Sequence, residues 1–398
     1  MLVKKYRDML SRKSAIRELF DYGRQRAGVI GYENVFDYSI GNPSVPVPER
    51  FNRILADLAL SGEDLRVHGY SPTLGIDIVR ERIAADLQRR FGIPYTKDHI
   101  FMTTGAAGAI AHALRAVCDE GSEVVIFAPF FPEYIPYIEG AGCRVKKVRA
   151  RTQDFQIDFE HFYEVLTPEV SAVLINSPNN PSGTVYSEET LKKLAGILTE
   201  KQKEFGHEIY LISDEPYREI MFREKKCPYT ALYYDNTITC YSFSKSLSLP
   251  GERIGYVAVN PACEGSKLIV PMCGQISRFT GHNCPPSIIQ LAVSECLDLT
   301  SDMSVYEKNA DILYEELTSM GFECVRPDGT FYIFPKVPYG NADEFSRAAR
   351  EFDILLVSGA TFDAPEHFRL SYCIDTEKVE RSIPSFRRLM DSYMKGKR

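Results

Sequence analysis

Short, nearly continuous apolar runs alternate with longer amphipathic stretches between residues 99 and 299, and no other feature restricts the fold of this chain as strongly. Apolar runs of this kind, rich in β-branched residues, are typical of strands buried on both faces. The predicted strands are His99–Thr103, Glu123–Ala128, Arg144–Val148, Ala172–Asn176, Glu208–Ser213, Thr237–Tyr241 and Ile254–Val259. The predicted helices between them include Gly105–Cys118, Glu188–Phe205 and Pro285–Leu299. The alternation predicts an α/β fold, with a mostly parallel central sheet covered by helices on both faces.

The two ends of the chain follow a different pattern. A helical stretch at Met303–Met320 precedes the short apolar runs Phe331–Phe334 and Phe368–Tyr372, which is typical of a small α+β unit. An amphipathic helix is predicted near the start of the chain, at Ser14–Phe20. Because chain ends often meet, we expect a large domain at residues 46–299 and a smaller α+β domain built from residues 1–45 and 300–398.

Composition and charge exclude several classes of function. The formal net charge is −7 and no long basic block occurs, which argues against nucleic acid as a partner. No run approaches the roughly 20 apolar residues of a membrane span, and the first residues run into charge, unlike a secretory signal. The ten cysteines are scattered without a C-x-x-C pair, which favours reduced thiols and a cytoplasmic location. No cluster of metal ligands is visible, so we expect no metal site.

Lys245 follows the predicted strand Thr237–Tyr241 in the run Ser242-Phe243-Ser244-Lys245, and Arg253 comes shortly after it. A lone lysine is most often a surface residue. Here the amine can form a Schiff base with an aldehyde, while the neighbouring hydroxyls and the guanidinium can hold a phosphate. Pyridoxal phosphate carries both groups. Lys245 is therefore a candidate ligand of that cofactor if other motifs supply the remaining contacts.

Unusual residues also follow other predicted strands, at the edge where open α/β sheets bind ligands. The segment Thr104-Gly105-Ala106-Ala107 opens a helix, and such small residues let backbone N–H groups approach a phosphate, although a plain strand–helix turn is the alternative. Phe131 can stack on a heteroaromatic ring or belong to the ordinary core. Asp214 at a buried strand end needs a cation, which is either a protonated pyridine nitrogen or an arginine of the protein.

Two further residues point to the same ring. Asn180 lies in the loop Ser177-Pro178-Asn179-Asn180-Pro181-Ser182-Gly183, whose prolines and asparagines predict a rigid turn with an amide pointing outward. The Asn180–Pro181 bond is a candidate for the cis form. Tyr217, shortly after Asp214, is placed to reach the phenolic oxygen of pyridoxal phosphate.

Together these motifs resemble those of the fold-type I pyridoxal-phosphate-dependent aminotransferases of class I and II. Their order matches that family over nearly the whole chain, from Gly41 in Ile40-Gly41-Asn42-Pro43 to Arg369. Between these two lie Tyr70 followed by Gly75 and Arg80, the turn at residues 105–107, Phe131, Asn180, Asp214 with Tyr217, Ser242 with Ser244 and Lys245, and Arg253. One departure is Ser358-Gly359-Ala360-Thr361-Phe362-Asp363, where the family often has Pro-Gly-x-x-Phe-Gly. We expect this departure to alter a loop near the substrate and to leave the chemistry intact.

The resemblance implies a role for each of these residues in binding the cofactor. Lys245 would form the internal aldimine and carry the proton, Asp214 would pair with the pyridinium nitrogen, and Phe131 would stack on the ring. Asn180 and Tyr217 would bind the phenolic oxygen. The residues implied to hold the phosphate are Gly105, Ala106, Ala107, Ser242, Ser244, Arg253 and, from a second subunit, Tyr70.

The resemblance also implies a substrate site and a homodimer with shared active sites. Arg369 would bind the substrate α-carboxylate through its forked guanidinium, with Asn180 and the Gly41 backbone beside it. The segment from Arg278 to Pro286 is similar to the aspartate aminotransferase segment Arg-x-Thr-x-x-Asn-Pro-Pro, with one residue inserted before the proline pair. In those enzymes the arginine crosses to the neighbouring subunit and binds the side-chain carboxylate; a surface arginine is the alternative for Arg278.

We therefore expect a pyridoxal-phosphate-dependent aminotransferase that uses ping-pong transamination between an L-amino acid and a 2-oxo acid, with aspartate and glutamate favoured. If Arg278 does not serve the site, aromatic or neutral amino acids become the expected substrates, and Arg66 and His68 are further candidates for the pocket. A C–S β-lyase on the same scaffold is the alternative enzyme. A cofactor-binding regulator would need a DNA-binding domain, for which the residues before Gly41 leave no room. A nicotinamide dehydrogenase would need a G-x-G-x-x-G after its first strand, which this sequence lacks.

Overall fold

The structure is a computed structural model that describes residues 2–10 and 15–395; Ser14, the predicted start of the first long helix, lies outside them, as do residues 1, 11–13 and 396–398 of the predicted small domain. In chain order the helices are α1 Lys4–Met9, α2 Ala15–Ile30, α3 Glu49–Ala59, α4 Asp64–His68, α5 Asp77–Phe91, α6 Gly105–Val117, α7 Tyr134–Gly140, α8 Phe159–Val165, α9 Glu188–Phe205, α10 Phe243–Ser246, α11 Ser266–Thr280, α12 Ser287–Ser294, α13 Ser304–Ser319, α14 Ala342–Arg350 and α15 Thr376–Lys395. The strands are β1 Phe36–Asp37, β2 Ile100–Thr103, β3 Glu123–Phe127, β4 Arg144–Val148, β5 Val170–Asn176, β6 Tyr210–Asp214, β7 Thr237–Ser242, β8 Gly255–Val259, β9 Tyr332–Ile333, β10 Ile354–Leu355, β11 Val357–Ser358 and β12 Phe368–Ser371.

A seven-stranded sheet in the order β2-β8-β7-β6-β5-β3-β4 lies at the centre of the large unit, which comprises Val45–Asn180 and Thr184–Met303. The neighbours from β4 to β7 pair in parallel, whereas β8 is antiparallel to both β7 and β2. Each strand predicted between residues 99 and 259 occurs in this sheet. The predicted mostly parallel α/β sheet is therefore confirmed.

Helices cover both faces of this sheet because its strands are apolar on both sides. In β3 all residues are buried, and successive side chains point to opposite faces. Val124 and Ile126 pack in a cluster with residues of α6, α7 and α11, while Val125 and Phe127 pack in another with residues of α8 and α9. A third cluster joins α5 and α12 to the end of the sheet formed by β2 and β8.

The small unit comprises the described residues of Met1–Ser44, Pro181–Gly183 and Ser304–Arg398. Its antiparallel sheet has the order β11-β12-β9, and β1 pairs in parallel with β10. Helix α14 packs on β10 and β11, and α15 packs on α13 and α14. Since β1 and β10 come from opposite ends of the chain, both ends contribute to this unit.

The helix predicted at Pro285–Leu299 is shorter than expected. Helix α12 begins at Ser287, directly after Pro286, which lacks the N–H of a helical residue and has an extended ψ of 135°. It ends before Glu295, whose ψ of 0° leaves the helical path. Leu297 and Leu299 continue the apolar pattern in the sequence, but they pack against the core from the turn that follows.

Candidate active site

Six of the seven strands of the central sheet run in one direction, and five of them, β2, β3, β5, β6 and β7, are followed by candidate site residues at the same edge of the sheet. β3, β5, β6 and β7 are parallel, and β2 shares their direction because β8 is antiparallel to both β2 and β7. The segments after these strands carry the residues that the sequence predicted for the cofactor site. The structure thus places at one edge of the sheet Gly105, Phe131, Asn180, Asp214 and Lys245.

Asp214 is the last residue of β6, and its carboxylate is buried. The Tyr134 hydroxyl donates a hydrogen bond of 2.5 Å to Oδ2, and Asn176 Nδ2 donates to the Asp214 carbonyl at 2.9 Å. Burial raises the pKa of Asp214 to about 7, although the Tyr134 hydrogen bond lowers it, and the nearby Glu215 raises it further. Desolvation therefore dominates, and no cation among the residues that the structure describes compensates the charge of this carboxylate.

The second oxygen of this carboxylate fits a pyridinium N–H. Oδ1 of Asp214 is buried and accepts no hydrogen bond from any residue that the structure describes. A buried carboxylate oxygen without a partner is costly, and a bound cation with one N–H relieves that cost. The protonated ring nitrogen of pyridoxal phosphate is such a group. The residues present at this strand end therefore fit the cofactor predicted from the sequence.

The raised pKa of Asp214 predicts a pH dependence for the protein without cofactor. A carboxyl whose pKa is higher in the folded chain than in the unfolded chain stabilises the fold while protonated, and this contribution is lost as the pH rises. The pKa is about 7 in the fold, and the unfolded value is about 3.9. The free energy of unfolding should thus fall by roughly 4 kcal/mol between about pH 4 and about pH 7.

The control variant for this prediction is Asp214→Asn, which carries no titrating group at that position. Urea unfolding of both apoproteins across this pH range should show the stronger decline in the wild type, and the variant should be the more stable one above about pH 7. The same pH dependence in both proteins would show that Asp214 does not titrate in this range.

Tyr134 and Asn176 were not predicted from the sequence as site residues. Tyr134 begins α7 and is buried, and its hydroxyl reaches Asp214 across the sheet edge. The Phe131 ring lies edge-on to the Tyr134 ring, with 5.7 Å between the centroids and an interplanar angle of 84°. Asn176 ends β5 and was read only as part of a strand. A polar residue that ends a buried strand was the available signal for Asn176.

The loop around Asn180 is held by amide hydrogen bonds. Asn180 is buried, and its backbone N–H donates to Asn176 Oδ1 at 2.7 Å. Asn179 Nδ2 donates to the Pro129 carbonyl at 3.3 Å. The expectation of a cis bond at Asn180–Pro181 is wrong, because the cis bonds in this region precede Pro129 and Pro178. The hydrogen bonds of the loop agree with the predicted turn, but the isomer depends on packing that a sequence does not reveal.

Lys245 lies on the short helix α10, which begins directly after β7. Its Nζ is 6.0 Å from the centroid of the Tyr217 ring, and Tyr217 is buried. Because α10 follows β7 without a loop, regular secondary structure fixes the position of Lys245 at the sheet edge. The structure thus brings together the amine and the phenol that the sequence assigned to the cofactor.

Ser242 and Ser244 lie just before Lys245 in the chain, and Arg253 contacts the residue that precedes the glycine turn. Ser242 caps α10 by accepting from the Ser244 N–H at 3.2 Å, and the two hydroxyl oxygens are 2.7 Å apart. Arg253 Nη2 donates to the Thr104 carbonyl at 3.3 Å, immediately before Gly105. A Cβ on Gly105, whose φ is +80°, would lie 3.0 Å from that guanidinium nitrogen.

The first turn of α6 contains Gly105, Ala106 and Ala107, and the side chain of its N-cap residue, Thr104, makes no capping hydrogen bond. The first N–H groups of a helix have no partner within the helix, so they are available to an anion. With the neighbouring guanidinium of Arg253 and the serine hydroxyls, this turn has the donor set that a phosphate needs.

In the small unit, Arg369 is buried and held between two aromatic rings. Its guanidinium carbon lies 4.7 Å from the centroid of Tyr332 and 4.9 Å from that of Phe362. Nη2 donates to the Ser39 carbonyl. A Cβ on Gly41 would lie 2.0 Å from the Tyr332 hydroxyl oxygen, so a larger residue there would displace the Tyr332 ring. Arg369 and Gly41 are thus both placed around Tyr332.

The segment that departs from the family pattern keeps the residue that packs on Arg369. Gly359–Phe362 forms a 3₁₀ turn, and Phe362 is fully buried. A Cβ on Gly359 would come within 2.2 Å of the carbonyl oxygens of Ala364 and His367, which explains the retained glycine. Asp363 takes the left-handed conformation with a φ of +63°, where the family often has glycine.

Tyr70 and Arg278 lie at the surface of the single chain. Tyr70 is fully exposed, and Arg278 lies in the last turn of α11, where Nη1 donates to Gln275 Oε1 at 3.0 Å. Arg66 pairs with Glu63 on α4, and His68 ends that helix. The predicted roles of Tyr70 and Arg278 involve a second subunit, so a single chain does not bring them to the other residues.

Neither a bilayer-spanning helix nor a metal cluster occurs in the part of the chain that the structure describes. None of these helices is both long and apolar enough to cross a membrane. No group of three or more histidine, cysteine, aspartate or glutamate residues within the described ranges is arranged to hold a metal ion.

Comparison with known proteins gives matches over nearly the whole chain. The family model described as aminotransferase class I and II matches residues 33–386. The aspartate/prephenate aminotransferase of Thermus thermophilus is 29% identical over 361 residues, which cover 88% of this chain and 89% of that protein. Aromatic-amino-acid aminotransferase 2 of Thermococcus litoralis is 29% identical over 396 residues, which cover 95% of each. A crystal structure of an amino transferase from Eubacterium rectale matches with a TM-score of 0.96 and 42% identity, covering 99% of both chains.

Proposed function

The chain belongs to the class I and II aminotransferase family, and from that premise we propose that it transfers the amino group of a dicarboxylic amino acid, such as aspartate or glutamate, to a 2-oxo acid. As a member of that family it is a pyridoxal-phosphate-dependent transaminase. The observation that carries the proposed cofactor site is the buried Asp214 carboxylate, whose Oδ1 has no partner among the described residues.

The proposed cofactor residues all belong to the predicted large domain at residues 46–299. Asp214 would bind the ring nitrogen, Asn180 and Tyr217 the phenolic oxygen, and Phe131 one face of the ring. The phosphate would be held by the N–H groups of Gly105, Ala106 and Ala107, by Ser242 and Ser244, by Arg253 and by Tyr70 of a partner subunit. When bound, pyridoxal phosphate supplies an aldehyde that captures the amino group and a positive ring that withdraws electrons from the substrate Cα.

Lys245 would act as the base and then as the acid. Its Nζ takes the proton from the substrate Cα and later returns a proton, so one amine serves both directions. The hydrogen bond from Tyr134 lowers the pKa of Asp214. The ionised carboxylate would hold the ring nitrogen at Oδ1 in its protonated form when the cofactor is bound. Rigid placement of Lys245 directly after β7 limits the distance over which the proton moves.

Arg369 would bind the substrate α-carboxylate, with the Gly41 backbone beside it in the predicted small domain at residues 1–45 and 300–398. The guanidinium is already oriented by Tyr332, Phe362 and the Ser39 carbonyl. An arginine ordered in this way loses little side-chain entropy on binding, which favours tight and specific carboxylate recognition.

Arg278 would bind the side-chain carboxylate of the substrate in the partner subunit. The guanidinium is exposed, and its hydrogen bond within the described chain goes to the neutral amide of Gln275, so its charge is available to an anion. Support for a dicarboxylate also comes from the name of the Thermus thermophilus relative, an aspartate/prephenate aminotransferase.

We also propose a cytoplasmic homodimer. Several large apolar side chains of the large unit are exposed in the single chain, including Leu60 at 85%, Leu65 at 91%, Tyr70 at 106% and Phe279 at 93%. Exposed side chains of this size favour a protein–protein interface. Tyr70 is itself assigned to the partner's site, and Phe279 directly follows Arg278, which is also assigned to it. None of the ten cysteines forms a disulfide, which fits a reducing compartment.

An absorbance scan of the purified holoenzyme tests the substrate class. Aspartate alone should convert the visible band of the Lys245-bound cofactor to the near-ultraviolet band of the aminated form, and 2-oxoglutarate should restore it. Conversion by phenylalanine but not by aspartate would overturn the dicarboxylate preference and match the aromatic relative instead. Release of pyruvate and ammonia from a cysteine conjugate without any oxo acid would identify the β-lyase.

Replacing Arg278 with alanine should raise KM for aspartate by roughly 10- to 100-fold, because a charge-assisted hydrogen bond contributes about 1.5–3 kcal/mol. KM for alanine, which has no side-chain carboxylate, should not change. Arg82→Ala is the matched control, since Arg82 is a half-exposed arginine of the same unit that pairs with Glu295. Equal changes of KM for aspartate and alanine in the Arg278 variant would remove Arg278 from the site.

A further inference from the structure

His282 is fixed in place by the end of α11. Gly281 takes the left-handed conformation with a φ of +66°, and its N–H donates to the Ser277 carbonyl. The His282 N–H donates to the same carbonyl at 2.9 Å. A left-handed glycine followed by this second hydrogen bond is a common way to end a helix. This helix-terminating turn therefore fixes the backbone position of His282.

This imidazole contacts the residue that precedes the proposed phosphate turn. Nε2 of His282 lies 2.6 Å from Thr104 Oγ1. Thr104 comes directly before Gly105, and its carbonyl accepts the hydrogen bond from Arg253. His282 thus holds the side chain of a residue whose backbone already contacts the arginine assigned to the phosphate.

Gly108 provides the space for this contact. It lies within α6, where glycine is less favourable than alanine. A Cβ on Gly108 would lie 2.9 Å from Thr104 Oγ1 and 3.3 Å from His282 Nε2. The presence of glycine at position 108, which is unfavourable for the helix itself, is explained by the Thr104–His282 pair, because this pair packs against that turn of α6.

A second histidine joins the same two helices next to this pair. His112 is buried on α6, and its Nδ1–H donates to the Gly108 carbonyl at 2.7 Å. Its Nε2 must then accept from the Ser277 hydroxyl at 3.0 Å. The His112 and His282 rings are 5.2 Å apart. Because α11 is attached to α6 at two successive polar contacts, the position of His282 relative to Thr104 is well defined.

We propose that His282 is a positioning residue for the cofactor phosphate: its hydrogen bond to the Thr104 hydroxyl fixes the turn at residues 104–107 so that the backbone N–H groups of α6 and the guanidinium of Arg253 converge on the phosphate. This inference rests on the proposed phosphate site. The Thr104 side chain makes no capping hydrogen bond to α6, although threonine is a favoured capping residue. By engaging the Thr104 hydroxyl, His282 also prevents it from competing with the phosphate for these N–H groups.

The effect of removing His282 follows from the strength of the bonds involved. Without the imidazole, the Thr104 hydroxyl is released and can bond to the first N–H groups of α6. A capping bond of this kind changes an equilibrium by about fivefold. The affinity for pyridoxal phosphate should fall by about fivefold or more, whereas the affinity for pyridoxal, which has no phosphate, should be unchanged.

The experiment titrates the apoprotein with pyridoxal phosphate and with pyridoxal. The quantity compared is the dissociation constant for pyridoxal divided by that for pyridoxal phosphate. His282→Ala should reduce that ratio, His282→Gln should restore part of it through its amide, and Thr104→Val combined with His282→Ala should lose no more than His282→Ala alone. His99→Ala is the matched control, because His99 Nδ1 lies 3.0 Å from Thr96 Oγ1 at the other end of β2.

The possible failures are distinguishable. A wild type that binds pyridoxal as tightly as pyridoxal phosphate would overturn the proposed phosphate site and the inference with it. A wild type that prefers pyridoxal phosphate, with the same preference retained in His282→Ala, would overturn the role of His282 alone. A larger loss in the double variant than in His282→Ala, or a loss in His99→Ala equal to that in His282→Ala, would show that His282 has only a general structural role.

Discussion

Replacing Lys245 with alanine should lower kcat/KM by about 10⁴-fold or more, the largest effect expected for any single residue of this chain. Acid–base catalysis by one positioned side chain contributes up to about 10⁴-fold, and the same amine is also expected to hold the cofactor covalently. The half-buried lysine lies on α10 beside the ring of Tyr217. The measurement is kcat/KM for aspartate with 2-oxoglutarate, together with the absorbance spectrum of the variant.

The matched control is Lys192→Ala, which removes an exposed lysine of the same unit that pairs with Glu188. It should retain both the visible band and the activity. In Lys245→Ala, a small external amine such as methylamine should restore part of the proton transfer. A variant that keeps its visible band and turns over at the rate of the wild type would show that another lysine carries the chemistry.

Replacing Asp214 with asparagine should lower kcat by a factor on the order of 10³, in the range found when one preorganised electrostatic contact is removed from an active site. The asparagine has a similar size but carries no charge, so the ring nitrogen loses the partner that keeps it protonated. KM should change much less, because the contacts to the substrate carboxylates remain. Steady-state kinetics with aspartate gives both constants.

Tyr134→Phe provides a graded comparison. It removes the hydrogen bond to Asp214 Oδ2 and leaves the carboxylate in place. Since that hydrogen bond lowers the pKa of Asp214, its loss should reduce kcat by about tenfold or less. Asp298→Asn, at the exposed pair with Arg50, should leave kcat unchanged. Full activity in Asp214→Asn would show that the ring nitrogen has another partner.

The sequence was informative about the sheet because the signal is local and repeated. Strands such as β3 are apolar on both faces, so their pattern is visible without knowledge of their neighbours. The limits of the prediction appear where tertiary packing decides. Leu297 and Leu299 extend an apolar period beyond α12, but they pack from a turn, and the sequence does not distinguish the two cases.

The candidate site could be predicted to the extent that its residues lie in short motifs at strand ends. Lys245, Asp214 and the turn after Gly105 each follow a strand directly. Tyr134 and His282 were missed because their partners, Asp214 and Thr104, are distant in the chain and only the fold brings them together. Their residue types are also common in ordinary cores and loops, so no local pattern marks them.

The most direct test of the account is to locate the lysine that holds the cofactor. Treating the holoenzyme with sodium borohydride fixes the linkage to the lysine, and trypsin digestion with mass spectrometry then identifies the labelled peptide. We predict that the label lies on Lys245, within the peptide that begins at Cys227 and ends at Arg253. A label on any other lysine, or an unlabelled Lys245 in a protein with full transaminase activity, would contradict the assignment on which the other proposals depend.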